Sequence, residues 1–279
     1  LYTYLYYYDE ILGDPNKDKW LDDIADSFDF VYLLVVWRDA HKTNDSLNMD
    51  YLYNITEIGK ELNKRGCELV IHTWISSYHP SWLVSHCPPL NGTSVRWQGL
   101  PETDPYYWTL TYTNLQYIRL VAEHFQSQNL TIQGFCLDDE TQSDNWGQHM
   151  RLAKDLLHSI NSSWYVTAMF CTSQLYHLAK NLDFLSLDPY GPDEDVASRI
   201  KFSWSLGFEK LSVLLNGMGA DNSTNGLRMR RQAWIAWFMG ADSIGWWCYN
   251  IYWRGFREGE PNDWFFMPYS PNGPTPGPK

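Results

Sequence analysis

The sequence predicts an α/β protein built as a single (β/α)8 barrel, and three observations support this. Short apolar runs rich in β-branched and aromatic residues alternate with longer segments of helical period, as in repeated βα units. The apolar runs are nearly continuous rather than alternating, which predicts strands covered on both faces. The chain has 279 residues, a length that barrel folds often reach as one domain.

Eight strands and seven helices can be placed in order along the chain. The strands are predicted at 2–9, 30–37, 67–75, 132–139, 165–170, 184–189, 210–216 and 243–249. The helices are predicted at 18–28, 49–65, 113–128, 146–160, 172–182, 195–206 and 227–239. A doubly wound open sheet is the alternative. It normally carries a glycine fingerprint after the first strand, and the segment 9–13, DEILG, is not one.

The barrel is expected to occupy residues 1–255. Residues 256–279 are predicted to form an irregular C-terminal segment ending in a Pro/Gly-rich linker, PNGPTPGPK, with a further domain a candidate beyond it. The segment from Ser76 to Tyr112 is rich in Pro, Trp and Tyr and is longer than a bare connection. We therefore expect it to be a loop that folds over the mouth of the barrel.

Composition excludes two classes of partner. The chain has 33 Asp and Glu against 21 Lys and Arg, a formal net charge of −12 that repels phosphate backbones and anionic lipids. Nucleic acid is therefore not an expected partner. The sequence also has no uncharged apolar run of about 18 residues, so no membrane span is predicted.

Six Asn-x-Ser/Thr sequons occur in the chain, where roughly two would be expected by chance. They start at Asn44, Asn54, Asn91, Asn129, Asn161 and Asn222. This enrichment predicts an N-glycosylated, secreted protein that is extracellular or on the cell surface. The five Cys residues and the His residues have no metal-ligand spacing, so neither a metal nor another cofactor is expected.

Site residues are expected at the carboxyl ends of the strands, where barrels of this class place their functional groups. The candidates from the first three strands are Asp9, Trp37, Arg38, His72 and Trp74. The candidates from the later strands are Asp138, Asp139, Glu140, Asp188, Tyr190, Asn216, Trp247, Tyr249 and Asn250. Carboxylates perform acid/base chemistry, aromatic rings stack on sugars, and Asn binds hydroxyls, so the set predicts a carbohydrate ligand.

The acidic triplet Asp138-Asp139-Glu140 ends the predicted fourth strand. Three adjacent carboxylates repel one another, so at least one is expected to hold a proton and serve as an acid. Glycoside hydrolysis needs such an acid at the leaving oxygen and a second group that stabilises the anomeric carbon. The alternative is a solvated acidic loop that caps the following helix. The position of the triplet at a strand end favours catalysis.

An aromatic wall is expected around the acidic triplet, made by Trp37, Trp74, Tyr190 and Trp247, since each lies at or just past a strand end. His72 has two interpretations from sequence. It is either a hydrogen-bonded core histidine or a sugar contact.

Two segments resemble a known family, namely 133–140, QGFCLDDE, and 231–250, which begins RQAW and continues through GADSIGWWCYN. They are similar to the catalytic barrel of glycoside hydrolase family 123, of the β-N-acetylgalactosaminidase type, over about residues 130 to 253. The resemblance implies that the substrate's own 2-acetamido oxygen attacks the anomeric carbon. It implies Glu140 as the acid/base and Asp139 as the residue that orients the acetamide.

The choice of the assisting aspartate stays open at this point. Chitinase-like barrels space these groups as Asp-x-Glu, which selects Asp138. Residues 138 and 140 share a face if the strand is still extended there, and residue 139 does not.

The sequence thus predicts a secreted glycoside hydrolase-like barrel that cleaves an N-acetylhexosamine-containing glycan by a retaining, substrate-assisted mechanism. One alternative is a two-carboxylate retaining glycosidase with Asp188 as nucleophile opposite Glu140. Another is a non-catalytic extracellular structural or sugar-binding protein that assembles with copies of itself.

Overall fold

Eight parallel strands form the barrel in a computed structural model that describes residues 1–5, 8–35, 41–43, 46–73, 101–138, 144–188, 193–215 and 225–246. The strands are β1 (Tyr2–Leu5), β2 (Phe30–Leu34), β3 (Glu68–His72), β4 (Ile132–Cys136), β5 (Tyr165–Thr167 and Met169–Phe170), β6 (Leu185–Leu187), β7 (Leu211–Leu215) and β8 (Ser243–Trp246). The predicted (β/α)8 fold is confirmed.

The ring of strands closes at β5, which consists of two short segments on either side of Ala168. The first segment pairs with β4 and the second pairs with β6, both in parallel. On the opposite side, β8 pairs with β1. Among the described residues, each of the other barrel strands therefore has a hydrogen-bonded neighbour on both sides, and the two segments of β5 share this pairing between β4 and β6.

Helices and short 3₁₀ segments surround the strands. The α-helices are α1 (Tyr8–Gly13), α2 (Lys17–Ser27), α3 (Met49–Lys64), α4 (Pro105–Ser127), α5 (Gly147–Ile160), α6 (Asp193–Ser205) and α7 (Asn225–Phe238). The 3₁₀ segments span Asp144–Trp146 and Ser173–Asn181, and a short hairpin pairs His41–Thr43 with Ser46–Leu47.

Two sequence expectations about these elements were wrong. The first strand ends at Leu5, so Asp9 lies inside α1 rather than at a strand end. The Tyr8 hydroxyl lies within hydrogen-bonding distance of the carbonyls of Leu5 (2.9 Å) and Leu34 (3.0 Å), so its single proton is shared between them and ties the start of α1 to the ends of β1 and β2. Helix α4 begins at Pro105, well before residue 113, since proline fits the first turn of a helix. The helix predicted at 172–182 is present, as a 3₁₀ helix over Ser173–Asn181.

Alternation along the strands creates two separate cores. Outward side chains pack against the helices in one large cluster, which includes Val31, Leu33, Leu69, Ile71, Phe135, Val213, Leu52, Ile55, Ile58, Val121 and Phe125. Inward side chains fill the barrel interior, and the apolar ones are Tyr2, Tyr4, Tyr32, Val70, Cys136, Met169 and Leu214. Burial on both faces explains why the strands have continuous apolar sequences.

Tyrosine rings and glycines are complementary inside the barrel. The rings of Tyr2 and Tyr4 lie 4.6 and 4.7 Å from the ring of Tyr32. Gly245 leaves room for the Tyr2 ring, because a Cβ built at Gly245 would lie 2.1 Å from it. A Cβ at Gly134 would lie 2.2 Å from the backbone carbonyl oxygen of Tyr165. Only glycine fits at these two interior positions.

Polar side chains cap the amino ends of the strands at the end of the barrel opposite the mouth. The backbone N–H of Leu211 donates to Asp242 (2.8 Å), and that of Val166 donates to Asp183 (2.7 Å). Asp183 also forms a 2.7 Å ion pair with Lys154. These contacts satisfy backbone donors that the strand pairing leaves over, so this end of the barrel contributes to stability.

We predict that Gly134→Ala lowers the free energy of unfolding by about 3 kcal/mol or more, because the new methyl group meets backbone rather than a flexible side chain. Chemical denaturation measures this change. Gly13→Ala is the matched control, since a Cβ at Gly13 meets no heavy atom within 4 Å. Equal effects of the two substitutions would contradict the close packing inside the barrel.

Candidate active site

Strand-type pairing continues past β4 and brings Asp138 into the barrel mouth. The N–H of Leu137 donates to the carbonyl of Thr167 (2.8 Å), and the N–H of Met169 donates to the carbonyl of Asp138 (2.9 Å). The chain is thus still extended at residue 138, and Asp138 points inward like Cys136 two residues earlier. Its side chain is fully buried, at 0% exposure.

Asp188 reaches the mouth in the same way from β6. Its N–H donates to the carbonyl of Phe170 (3.1 Å), which extends the pairing between β5 and β6 by one step. Asp188 therefore has the same inward orientation as Ser186, whose hydroxyl lies 2.9 Å from that of Thr167 in the interior. The carboxyl group of Asp188 is also buried, at 1% exposure.

The strand register places these two carboxylates in one layer of the barrel. In this fold, four inward side chains from alternate strands share a layer. The register around the ring shows that the odd-numbered strands contribute one layer, which is made of Tyr4, His72, Met169 and Leu214. The even-numbered strands β4 and β6 contribute Asp138 and Asp188 to the next layer toward the mouth. They are neighbours within that layer.

His72 supports this acidic layer from below. Its ring is fully buried, packs edge-on against Tyr4 at 5.4 Å between centroids, and lies beside the backbone of Asp138. Burial lowers the pKa of His72 to about 3, so the ring is neutral near pH 7. The structure thus favours the core interpretation of His72, directly beneath the carboxylates.

A second group of residues supports Asp188 from the side. The thiol of Cys171 lies 3.8 Å from Oδ2 of Asp188, within reach of a weak hydrogen bond. The guanidinium of Arg199 donates to the carbonyl of Cys171 and forms a 2.7 Å ion pair with Asp195 one helical turn earlier. Arg199 could not be predicted from the sequence, because nothing in its local sequence distinguishes it from other charged helix residues.

A negative charge on either of the two buried carboxyl groups in this layer would act strongly on a bound substrate. A fixed negative charge in a site of low dielectric constant stabilises positive charge that develops nearby, and does so more strongly than in water. Cleavage of a glycosidic bond develops such a charge at the anomeric carbon. The layer formed by Asp138 and Asp188 is therefore suited to that reaction.

The structure brings together three of the predicted site residues, with Asp138 and Asp188 in one layer and His72 beneath them. Asp9 lies in α1, and its side chain is outside the described part of the chain. The other candidates lie outside the described residues, namely Trp37, Arg38, Trp74, Asp139, Glu140, Tyr190, Asn216, Trp247, Tyr249 and Asn250. The aromatic wall stays a prediction for the same reason.

Two further features concern metals and membranes. Within the described ranges, no three His, Cys, Asp or Glu side chains are grouped closely enough to hold a metal ion. No helix in those ranges is both long and apolar enough to cross a bilayer.

No protein-family model matches this sequence, and no curated protein matches it. Solved structures with a similar fold are numerous. Endo-glycoceramidase II from Rhodococcus sp. superposes with a TM-score of 0.65 at 14% identity, over 98% of this chain and 75% of the other. A GH5_18 protein from Bifidobacterium longum, solved in complex with Manβ1-4GlcNAc, superposes with a TM-score of 0.63 at 11% identity, over 91% of this chain and 69% of the other. An exo-β-1,4-mannosidase from an Opitutaceae bacterium superposes with a TM-score of 0.64 at 14% identity, over 89% of this chain and 51% of the other.

These likenesses establish the fold. The chain forms a barrel of the type found in glycoside hydrolases, and the group named among the similar structures is GH5_18 rather than family 123. The expected resemblance is therefore supported at the level of a glycosidase-like barrel, and the comparisons do not support family 123 in particular. At 11 to 14% identity, they do not transfer a substrate.

We predict that the protein loses stability on acidification because two buried histidines resist protonation. The folded pKa values of His72 and His149 are both about 3, below the ordinary 6.5, because burial disfavours the charged ring. Their stabilising contribution is complete above about pH 6.5 and is lost as the pH falls toward 3. Between pH 7 and pH 5, each of the two histidines should lower the free energy of unfolding by about 2 kcal/mol.

Chemical denaturation at a series of pH values measures this loss. His149→Phe keeps an aromatic ring stacked on Trp146, which lies 4.2 Å from the His149 ring, but removes the titrating group. This variant should therefore lose less stability than the unaltered chain between pH 7 and pH 5. An unchanged pH dependence would contradict the neutral state of His149.

Proposed function

We propose that this protein is a glycoside hydrolase that cleaves an N-acetylhexosamine-containing glycan with retention of configuration. The main observation that supports this proposal is the buried layer of Asp138 and Asp188 at the carboxyl ends of β4 and β6. Glu140 is the proposed general acid/base, two residues beyond Asp138. The fold shared with structures of glycosidases adds support at the level of the barrel.

The extended chain at residue 138 favours Asp138 over Asp139 as the assisting residue. Alternation places residues 138 and 140 on one face, so Asp138 and Glu140 share the interior if the same conformation continues. In the proposed mechanism, Glu140 protonates the leaving oxygen while the 2-acetamido oxygen of the substrate attacks the anomeric carbon. Asp138 orients the acetamide N–H and stabilises its developing charge.

We predict that Glu140→Gln lowers kcat for an aryl N-acetylhexosaminide by about 10² to 10⁴-fold. The melting temperature should change little, since the substitution conserves volume. Asp138→Asn should reduce kcat more than Asp139→Asn does, because strand pairing directs residue 138 into the barrel. Glu102→Gln, at an exposed glutamate, is the matched control and should leave turnover unchanged. Unchanged turnover in Glu140→Gln would remove that residue from the mechanism.

A two-carboxylate mechanism is the second candidate, because Asp188 lies in the same layer as Asp138. Asp188 would then attack the anomeric carbon directly, and the substrate would need no acetamide. Aryl glycosides with and without the 2-acetamido group separate the two mechanisms. If the mechanism is substrate-assisted, the enzyme should turn over the acetamido compound and not the compound that lacks this group. Comparable turnover of a 2-hydroxy compound would favour direct attack by Asp188, provided that Asp188→Asn abolishes this turnover.

A non-catalytic, self-assembling protein is the third candidate and belongs to another functional class. It rests on the aromatic content and the sequons, which an ordinary secreted enzyme also has. Light scattering of native material, combined with a glycosidase assay, distinguishes the two. Extended polymers without turnover would favour assembly.

We also propose that the chain is secreted and carries N-glycans away from its mouth. Asn129 is exposed in the turn between α4 and β4, and Asn161 ends α5 just before β5. Both turns lie at the end of the barrel opposite Asp138, so glycans there leave the mouth open. Asn54 lies within α3, and the other three sequon asparagines are outside the described residues.

Mass spectrometry before and after enzymatic removal of N-glycans tests this proposal. We predict that, in protein secreted by a eukaryotic host, Asn129→Gln reduces the mass decrease on deglycosylation by the mass of one N-glycan. Asn16→Gln, which alters no sequon, should leave the pattern unchanged. Identical patterns in both variants would show that Asn129 is not modified.

A further inference from the structure

The first turns of α4 carry an aromatic pair that no motif of the sequence identifies. We propose that Trp108 and Tyr112 form a stacking platform for a pyranose ring of a bound glycan, beside the mouth of the barrel. This inference rests on the proposed carbohydrate ligand and adds a second contact region to it.

The two rings have the near-parallel orientation that a common stacking surface requires. They lie one helical turn apart, with centroids separated by 5.9 Å and planes inclined by only 33°. Tyr112 is 62% exposed, and Trp108 is half-buried. The exposed pair Trp234 and Trp237 on α7 differs, because their planes are inclined by 87° and cannot present a common surface.

Trp108 is held in place from beneath by a buried tyrosine. The ring of Tyr107 packs edge-on against Trp108 at 5.2 Å and 87°, and its side chain has 0% exposure. The Tyr107 hydroxyl donates a 2.8 Å hydrogen bond to the carbonyl of Asn145. Burial raises the pKa of Tyr107 to about 12, so the hydroxyl remains a donor at neutral pH. A fixed aromatic surface loses little conformational entropy when it binds a ligand.

The platform adjoins the candidate active site. Helix α4 follows β3 and precedes β4, so its first turns lie at the carboxyl end of the barrel strands and its last turn lies at the opposite end. Asn145 belongs to the 3₁₀ segment that comes shortly after the acidic triplet. The hydrogen bond from Tyr107 therefore connects the base of the platform to the segment that follows Asp138.

The chemistry of the pair favours a sugar over other ligands. An indole and a phenol offer flat apolar faces and no charge, which suits the apolar face of a pyranose ring. A quaternary cation is normally held in a cage of aromatic walls, and rings inclined by 33° do not form one. The net charge of −12 disfavours phosphorylated ligands.

Isothermal titration of the full chain with the β-1,4-linked trisaccharide and the monosaccharide of N-acetylglucosamine tests the platform. Tyr112→Ala should weaken trisaccharide binding roughly tenfold and leave monosaccharide binding unchanged, because the single sugar occupies only the mouth. Tyr112→Phe should retain the affinity, since it retains the ring. Trp108→Ala should weaken trisaccharide binding similarly, with folding checked by melting temperature.

Tyr53→Ala and Trp234→Ala are the matched controls, at a tyrosine and a tryptophan exposed by 50% and 67%. Trisaccharide binding that is absent from the unaltered chain, or that is equally weakened by the controls, would overturn the platform. The proposed hydrolysis is judged separately by the Glu140→Gln assay. Loss of binding in Tyr112→Ala together with no turnover in the unaltered chain would support the platform and reject the hydrolase.

Discussion

Closure of eight parallel strands into a ring is the constraint on which the rest of this structure depends. Once the ring is closed, alternate residues of every strand must enter a narrow interior that side chains have to fill. Tyr2, Tyr4 and Tyr32 fill much of it, and Gly134 and Gly245 make room for neighbouring rings or backbone. The pairing of large and small residues therefore fixes the strand register.

The same register determines the chemistry at the mouth. A shift of β4 by one residue would turn Asp138 outward toward the helices and bring Leu137 into the mouth. Because β5 pairs with both β4 and β6, the positions of Asp138 and Asp188 are set by one shared strand. Close packing in the interior and the arrangement of the two carboxylates are thus consequences of a single geometry.

The sequence predicts the fold well because each barrel strand is buried on both faces and leaves a continuous apolar pattern, as in LSVLL of β7. Asp138 and Asp188 could be predicted for a related reason, since the ends of such patterns mark the mouth. Asp9 was misplaced because the aromatic run of β1 continues into Tyr8, whose ring is also buried but in a helix. Periodicity cannot distinguish a buried strand from a buried helical turn over so few residues.

Trp108, Tyr112 and Arg199 could not have been found in the same way. The two aromatic residues lie in a segment that its proline and aromatic content assigned to a loop, while Pro105 in fact begins a helix that places them one turn apart. Arg199 acts through the carbonyl of Cys171, a backbone atom whose position depends on the closed barrel.

Burial also suggests a division of roles within the acidic triplet. Asp138 has no exposed surface, and its backbone carbonyl accepts a strand-type hydrogen bond from Met169, so its backbone is held in the extended conformation that directs the side chain inward. A fixed carboxylate is suited to orienting an acetamide, because it needs no reorganisation when charge develops. A proton donor has the opposite requirement, since it must regain its proton from water in each cycle. The burial of Asp138 therefore supports its assignment as the orienting residue rather than as the acid.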